Sequence, residues 1–348
     1  MDIIAQWNYT RLRQIGVGAG RNSQVFVVHD PQRNAEIVVK EIDKSTIADP
    51  AKLFSESQAM VAAASPFVVP LYCAAQTPDK ICLGMPLYQN GSLADRITTD
   101  PLPPREIIRI GLDVLSGIGA IHAKGLIHFD VKPTNILFDD TGTAMVADFG
   151  QACALGPAGT AAIPGLYVYS VPPEAFTHGT GVPQSDIYQM GSTLYRMSNG
   201  NPHFKRQLPG HRILLETLTL NGKFPDRDAF QPHVPRQLRT LIRKALQVDP
   251  SDRFPTAAAM ADALGKITVK CNWQMRTATS GERSWRCDRT GQASIVVEEK
   301  LNGASRNVEI WTISAGNKRA KDRQSWKRNL SPADSHKALK SIFESLER

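Results

Sequence analysis

His128-Phe129-Asp130-Val131-Lys132-Pro133-Thr134-Asn135, with Asp148-Phe149-Gly150 beginning eighteen residues after Asp130, brings a base, a cation and two metal-binding groups into one short stretch. Asp130 could accept a hydroxyl proton, and Lys132 could neutralise a moving phosphoryl group. Asn135 and Asp148 carry oxygens suited to Mg²⁺ on a nucleotide. These are the parts of a phosphoryl-transfer site. His128 reads as a hydrogen-bonding support for the loop rather than as a catalyst.

Such a site needs elements that bring backbone N–H groups against phosphates, and residues with little side chain permit that approach. Gly18, Gly20, Ser23 and Val25 stand in a G-x-G-x-x-S-x-V pattern, which by itself describes no more than a glycine-rich hairpin. Val25 to Val28 and Ile37 to Val39 follow as two β-branched runs, separated by the turn-like Asp30-Pro31-Gln32-Arg33-Asn34. Lys40 ends the second run. Glu56, sixteen residues later in Phe54-Ser55-Glu56-Ser57-Gln58-Ala59-Met60, falls on an expected helix from which it could pair with Lys40.

At these spacings, from about Asn8 to Gly265, the sequence resembles the eukaryotic-like Ser/Thr protein kinases. The resemblance implies an α+β, bilobal protein-kinase fold over 8–265, with a β-rich N-lobe to about residue 88 and a helical C-lobe over about 89–265. It implies an ATP- and Mg²⁺-dependent enzyme, Mn²⁺ also being acceptable, that transfers the γ-phosphate to Ser or Thr of a protein substrate. Lys132, two residues past Asp130, matches Ser/Thr rather than Tyr kinases. On this reading Asp130, Lys132, Lys40 and Glu56 serve catalysis, and Asn135 and Asp148 hold the metal. Gly18, Gly20, Ser23, Val25 and Lys40 contact the nucleotide together with Met85, the gatekeeper, and the hinge Pro86-Leu87-Tyr88. Pro86 has no N–H to donate, so Tyr88 supplies the hinge donor.

The same resemblance pairs Glu174 of Val171-Pro172-Pro173-Glu174 with Arg253, and makes Asp186 a brace for the catalytic loop's backbone at the start of a central helix that also contains Gly191. Two departures matter. Phe129 stands where most relatives carry an Arg that grips a phosphate on the activation segment, so activity is expected to depend weakly on phosphorylation there. Gly165 to Ser170 departs from the usual G-T-P-x-Y, which leaves the acceptor choice open; Thr160, Tyr167, Tyr169 and Ser170 are candidate autophosphorylation positions.

The 348 residues carry a formal charge of +8, and residues 266–348, with 17 Lys+Arg against 9 Asp+Glu, account for all of it. Five cysteines without C-x-x-C spacing suggest neither a disulfide framework nor a zinc site. No secretory pattern opens the sequence and no run approaches the ~18 apolar residues of a membrane span, so a cytoplasmic protein without membrane attachment is expected. Residues 266–348 contain Trp273, Trp285, Trp311 and Trp326 and read as a small α+β domain. Strands are expected over Ser294 to Glu298 and Val308 to Ser314, a turn at Asn302-Gly303, and a helix capped by Ser331-Pro332 that presents Leu339, Ile342, Phe343 and Leu346.

Three roles for this domain are open. The tryptophans could form a core beneath a solvated basic loop. Lys318, Arg319, Lys321, Arg323, Lys327 and Arg328 around Trp326 could bind nucleic acid. The domain could also dock an acidic protein. For the whole chain, the alternatives to an active kinase are a non-catalytic nucleotide-binding scaffold, and a stress or antiviral kinase whose tail senses nucleic acid.

Overall fold

The computed structural model describes residues 6–16, 23–47, 54–163, 171–313, 319–321 (backbone only) and 326–347. Its first part is an antiparallel sheet of β1 (Thr10–Ile15), β2 (Ser23–Asp30), β3 (Ala35–Asp43), β4 (Cys73–Gln76) and β5 (Lys80–Pro86), in the order β1-β2-β3-β5-β4. The β2–β3 turn forms because Asp30 accepts from the backbone N–H groups of Gln32 and Arg33 (2.9 and 3.2 Å), while Asn34 takes the left-handed conformation at φ 50°. Alternation along β3 buries Ile37, Val39 and Glu41 on one face and turns Lys40 to the other. The helix α1 (Ser55–Ala62) accompanies this sheet.

The second part is helical: α2 (Leu93–Arg96), α3 (Pro104–His122), α4 (Pro173–Thr177), α5 (Pro183–Asn199), α6 (Asn201–Lys205), α7 (Arg212–Leu220), α8 (Arg236–Ala245) and α9 (Ala257–Gly265). In α3, Ile107, Ile110, Val114, Ile118 and Ile121 recur at helical spacing and are all buried, which makes this helix a central post of the lobe. Gly191 of α5 lets α8 approach closely, since a Cβ there would lie 2.8 Å from the Cβ of Ala245. Short ribbons arise between the helices: β6 (Leu126–Ile127) with β9 (Cys153–Ala154), β7 (Ile136–Phe138) with β8 (Ala144–Val146), and β10 (Ala161–Ala162) with β11 (Thr180–Gly181). This is the bilobal kinase fold.

The third part is an antiparallel sheet of β12 (Gln274–Thr277), β13 (Arg283–Cys287), β14 (Ser294–Asn302), β15 (Ser305–Ile313), β16 (Arg319–Lys321) and β17 (Lys327–Leu330), packed against α10 (Pro332–Leu346). The β14–β15 hairpin closes with Asn302 opposite Ser305, and Gly303 supplies the positive φ of 58°. Ser331 caps α10 by accepting from the Asp334 N–H, and Leu339 and Phe343 are buried with Trp273 and Trp285. Those two indoles are therefore core and present no face to a base. Trp311 lies 5.4 Å from Trp326, centroid to centroid. Of the expected basic patch, Lys318 and Arg323 lie outside the described residues, and Arg319 and Lys321 are described only as strand backbone.

This sheet also leans on the helical lobe. Trp285 Nε1 donates to His233 Nδ1 at 3.0 Å, and the His233 ring sits edge-on to Phe343. Arg239 of α8 pairs with Glu344 of α10 (3.2 Å), and the Thr277 N–H donates to Asp100 (3.0 Å). Among the described residues, no helix is long and apolar enough to cross a membrane.

Candidate active site

Lys40 projects from β3 into the cleft between the two lobes, where its Nζ donates to Glu56 Oε1 (2.6 Å) and to Asp148 Oδ1 (2.8 Å). Burial alone would favour the neutral amine, but the carboxylates of Asp148 and Glu56 outweigh it and hold the ammonium well above the ordinary lysine range. Lys40 in turn holds the Asp148 carboxyl well below the usual carboxylate range, while burial pushes Glu56 up. Asp148 adopts φ 65°, and the buried Phe149 beside it packs edge-on to His128 at 5.1 Å.

Asp130 is the centre of a second cluster. Its Oδ2 accepts from Lys132 Nζ (2.7 Å) and Asn135 Nδ2 (2.8 Å), and Asn135 Nδ2 also reaches the Asp130 carbonyl at 3.0 Å. Burial raises the Asp130 pKa, against the opposing pull of Lys132. The two clusters share one scaffold, since the Ala147 N–H donates to the Asn135 carbonyl (2.9 Å) and His128 Nε2 lies 3.2 Å from the Ala147 carbonyl. His128 thus has the supporting position expected of it.

The loop's backbone is held from α5. Asp186, fully buried, accepts from the His128 N–H (2.9 Å) and the Phe129 N–H (2.8 Å) and also contacts His122 Nε2 (2.7 Å). Glu174 and Arg253 form a buried two-pronged pair at 2.8 and 2.6 Å. Phe129 is held at φ 61° with its ring fully buried in a cluster with Ile127 and Ala161.

A model of the protein kinase domain family matches residues 9–264. The chain belongs to this family. Among characterised members, it is 29% identical over 263 residues to the serine/threonine-protein kinase PknL of Mycobacterium tuberculosis, covering 74% of this chain and 65% of that protein. It is 29% identical over 259 residues to the serine/threonine-protein kinase PrkC of Bacillus subtilis (72% of this chain, 39% of that one). To the serine/threonine-protein kinase PknB of Mycolicibacterium smegmatis it is 30% identical over 264 residues (72% and 42%). The chain therefore spans less than two thirds of the length of each of these relatives.

Within this kinase domain, Ser23 and Val25 lie on β2, with Val25 directly opposite Lys40. Met85 and Pro86 end β5 opposite Val38 and Ile37, and Tyr88 packs with Met85, Leu137 and Met145 beside the cleft. Gly18, Gly20, Tyr167, Tyr169 and Ser170 lie outside the described residues. Thr160 directly precedes β10, and its carbonyl accepts from the Gly156 N–H.

Two supports escaped sequence reasoning. Gln189 accepts from the Val131 N–H (2.9 Å) and donates to the Phe129 carbonyl (2.7 Å), and Ser185 Oγ donates to Glu174 Oε1 (2.6 Å). The available signal for Gln189 was its position three residues after Asp186, which puts both on one helix face.

Proposed function

We propose that this chain is an ATP- and Mg²⁺-dependent protein kinase that transfers the γ-phosphate to Ser or Thr of protein substrates. Residues 8–265 would be the catalytic unit and 266–348 a domain for partner or substrate recognition. The observation that carries the reading is the double grip of Glu56 and Asp148 on Lys40, beside the Asp130–Lys132–Asn135 cluster. Lys40, held charged, would bind the α- and β-phosphates. Asp130 would orient the acceptor hydroxyl and take its proton late, and Lys132 would offset the charge of the transferring group.

The donor set fits Mg²⁺. Asn135 commits its amide nitrogen to Asp130, so Oδ1, which accepts only a long 3.3 Å hydrogen bond from Thr134 Oγ1, is the atom that would bind the metal, and Asp148 Oδ2 makes no hydrogen bond among the described residues. Two oxygen ligands suffice, because Mg²⁺ completes its shell with water and nucleotide phosphate. When bound, the ion would neutralise charge developing on the phosphates; Mn²⁺ would suit the same oxygens. Ser/Thr preference is supported by Lys132 beside Asp130 and by the names of the relatives. The buried Phe129 ring favours an activation segment that needs no phosphate to hold it.

Purified protein given Mg²⁺, labelled ATP and a basic acceptor protein should phosphorylate Ser or Thr, and Asp130→Asn should abolish this without loss of Mg²⁺-dependent nucleotide binding. ATP binding with no transfer by the wild-type protein would instead support the scaffold.

A further inference from the structure

We propose that the open groove between α8 and α9 is a docking site for a protein partner, bound through an acidic segment that also carries apolar side chains. This site is separate from the nucleotide cleft, and the inference does not depend on the kinase reaction. The groove encloses about 570 Å³, within the roughly 300–1,000 Å³ of ordinary ligand sites. Its apolar floor is formed by the half-buried Ala263 and Ile267 over the buried Leu241 and Phe254, and Arg236, Lys244 and Lys266 stand exposed along it. None of its lining residues carries a carboxylate, and among the described residues Arg236 and Lys266 enter no ion pair.

That combination selects the occupant. Three rim cations without internal counter-charges attract an anion, while the floor rewards a ligand that also buries hydrocarbon. Nucleic acid would satisfy the cations but not the floor, whose partly exposed residues, Ala263 and Ile267, are aliphatic, while the buried Phe254 ring faces the Lys244 ammonium at 4.6 Å and offers no stacking face for a base. A planar membrane surface would meet the rim but not enter a concavity. A peptide of mixed acidic and apolar residues matches both, and the groove's open side lets a continuous chain pass through.

The test is fluorescence anisotropy of a fluorescein-labelled peptide of alternating Glu and Leu, titrated with the full chain. Saturable binding is expected, and Arg236→Glu/Lys244→Glu/Lys266→Glu should weaken it at least about tenfold, as should Ile267→Asp. Reversal of three exposed cations elsewhere, Lys124→Glu/Lys205→Glu/Lys223→Glu, should leave it within about twofold. All these side chains except the half-buried Ile267 are exposed, and circular dichroism would verify folding. Absence of binding, or equal weakening by the control triple, would overturn the proposal. So would equally tight binding of poly-Glu, or tighter groove-dependent binding of single-stranded DNA or phosphatidylglycerol vesicles. If sedimentation showed a dimer that the groove triple converts to monomer, the occupant would be a second copy and the proposal would be wrong.

Discussion

The ring of Phe129 fills the space that a side chain on Gly181 would need. A Cβ built on Gly181 would collide with that ring and stand 2.8 Å from Ser185 Oγ. Gly181 belongs to β11, which pairs with β10, so the absence of a side chain there allows the β10–β11 ribbon to close over the catalytic loop. At Phe129 the loop is thus held by an apolar contact.

Gly181→Ala should therefore lower phosphotransfer, because the ribbon must move off Phe129 or the ring must leave its well. The cost of such overpacking is about 1–3 kcal/mol. Steady-state kinetics and a thermal melt would measure it, and a variant with unchanged kcat and Tm would show that the ribbon accommodates the methyl freely.

Phosphatase treatment should leave most of the activity intact. Phe129→Arg should not create phosphate dependence, because it would place an unpaired charge in the apolar Ile127–Ala161 cluster, a change of the kind that costs several kcal/mol. Comparing treated and untreated enzyme in both backgrounds tests this. Near-complete loss of wild-type activity on dephosphorylation would refute it.

Lys40→Met should reduce kcat by roughly 10²–10³-fold, the scale for removing one preorganised charge-stabilising donor. Glu56→Gln should cost less, about tenfold, since Asp148 still holds Lys40 and a hydrogen-bond acceptor remains at position 56. If Glu56→Gln proved as damaging as Lys40→Met, the grip of Asp148 would be insufficient by itself.

Arg253→Met should destabilise the helical lobe by about 3–5 kcal/mol, since it strands a buried carboxylate. Urea melts of this variant beside Arg253→Met/Glu174→Met would separate loss of the pair from the stranded charge. The double variant should recover part of the stability.

Protonation of His233 should loosen the contact between the C-terminal sheet and the helical lobe. Burial, aided by Arg283, lowers the His233 pKa from 6.5 to about 3, and Nδ1 must stay unprotonated to accept from Trp285. The folded pKa lies below the unfolded one, so this stabilisation is complete above about 6.5 and is lost as the pH falls toward 3. The stability difference between wild type and His233→Gln should be flat above neutrality and change below it. Parallel pH profiles would sink the idea.

Much of the site was legible because phosphoryl transfer requires particular groups at fixed spacings. Lys40 and Glu56 pair as their spacing suggested, and Asp130, Lys132 and Asn135 form a second cluster, but Asp148 bonds to Lys40 rather than to the loop residues with which the sequence grouped it. Gln189 was not legible, because its side chain serves two backbone groups at Phe129 and Val131, and such a role leaves no chemical signature in a residue type. Two of the tail's strands, β14 and β15, and its helix were readable from β-branched runs, the Asn302-Gly303 turn and the Ser331 cap, whereas β12, β13, β16 and β17 were not. Its attachment through His233 was not, since neither His233 nor Trp285 is distinctive alone.

Residue type sets charge and hydrogen-bonding capacity, and short-range periodicity sets helix and strand, so the candidate reactive groups and many local elements could be read along the chain. That Phe129 lies against Gly181, that Trp273 and Trp285 are core, and that Arg236, Lys244 and Lys266 share one groove became visible in the folded chain alone. Those relations join residues distant in sequence, and packing is fixed by the shape of the whole assembled interior rather than by any local pattern.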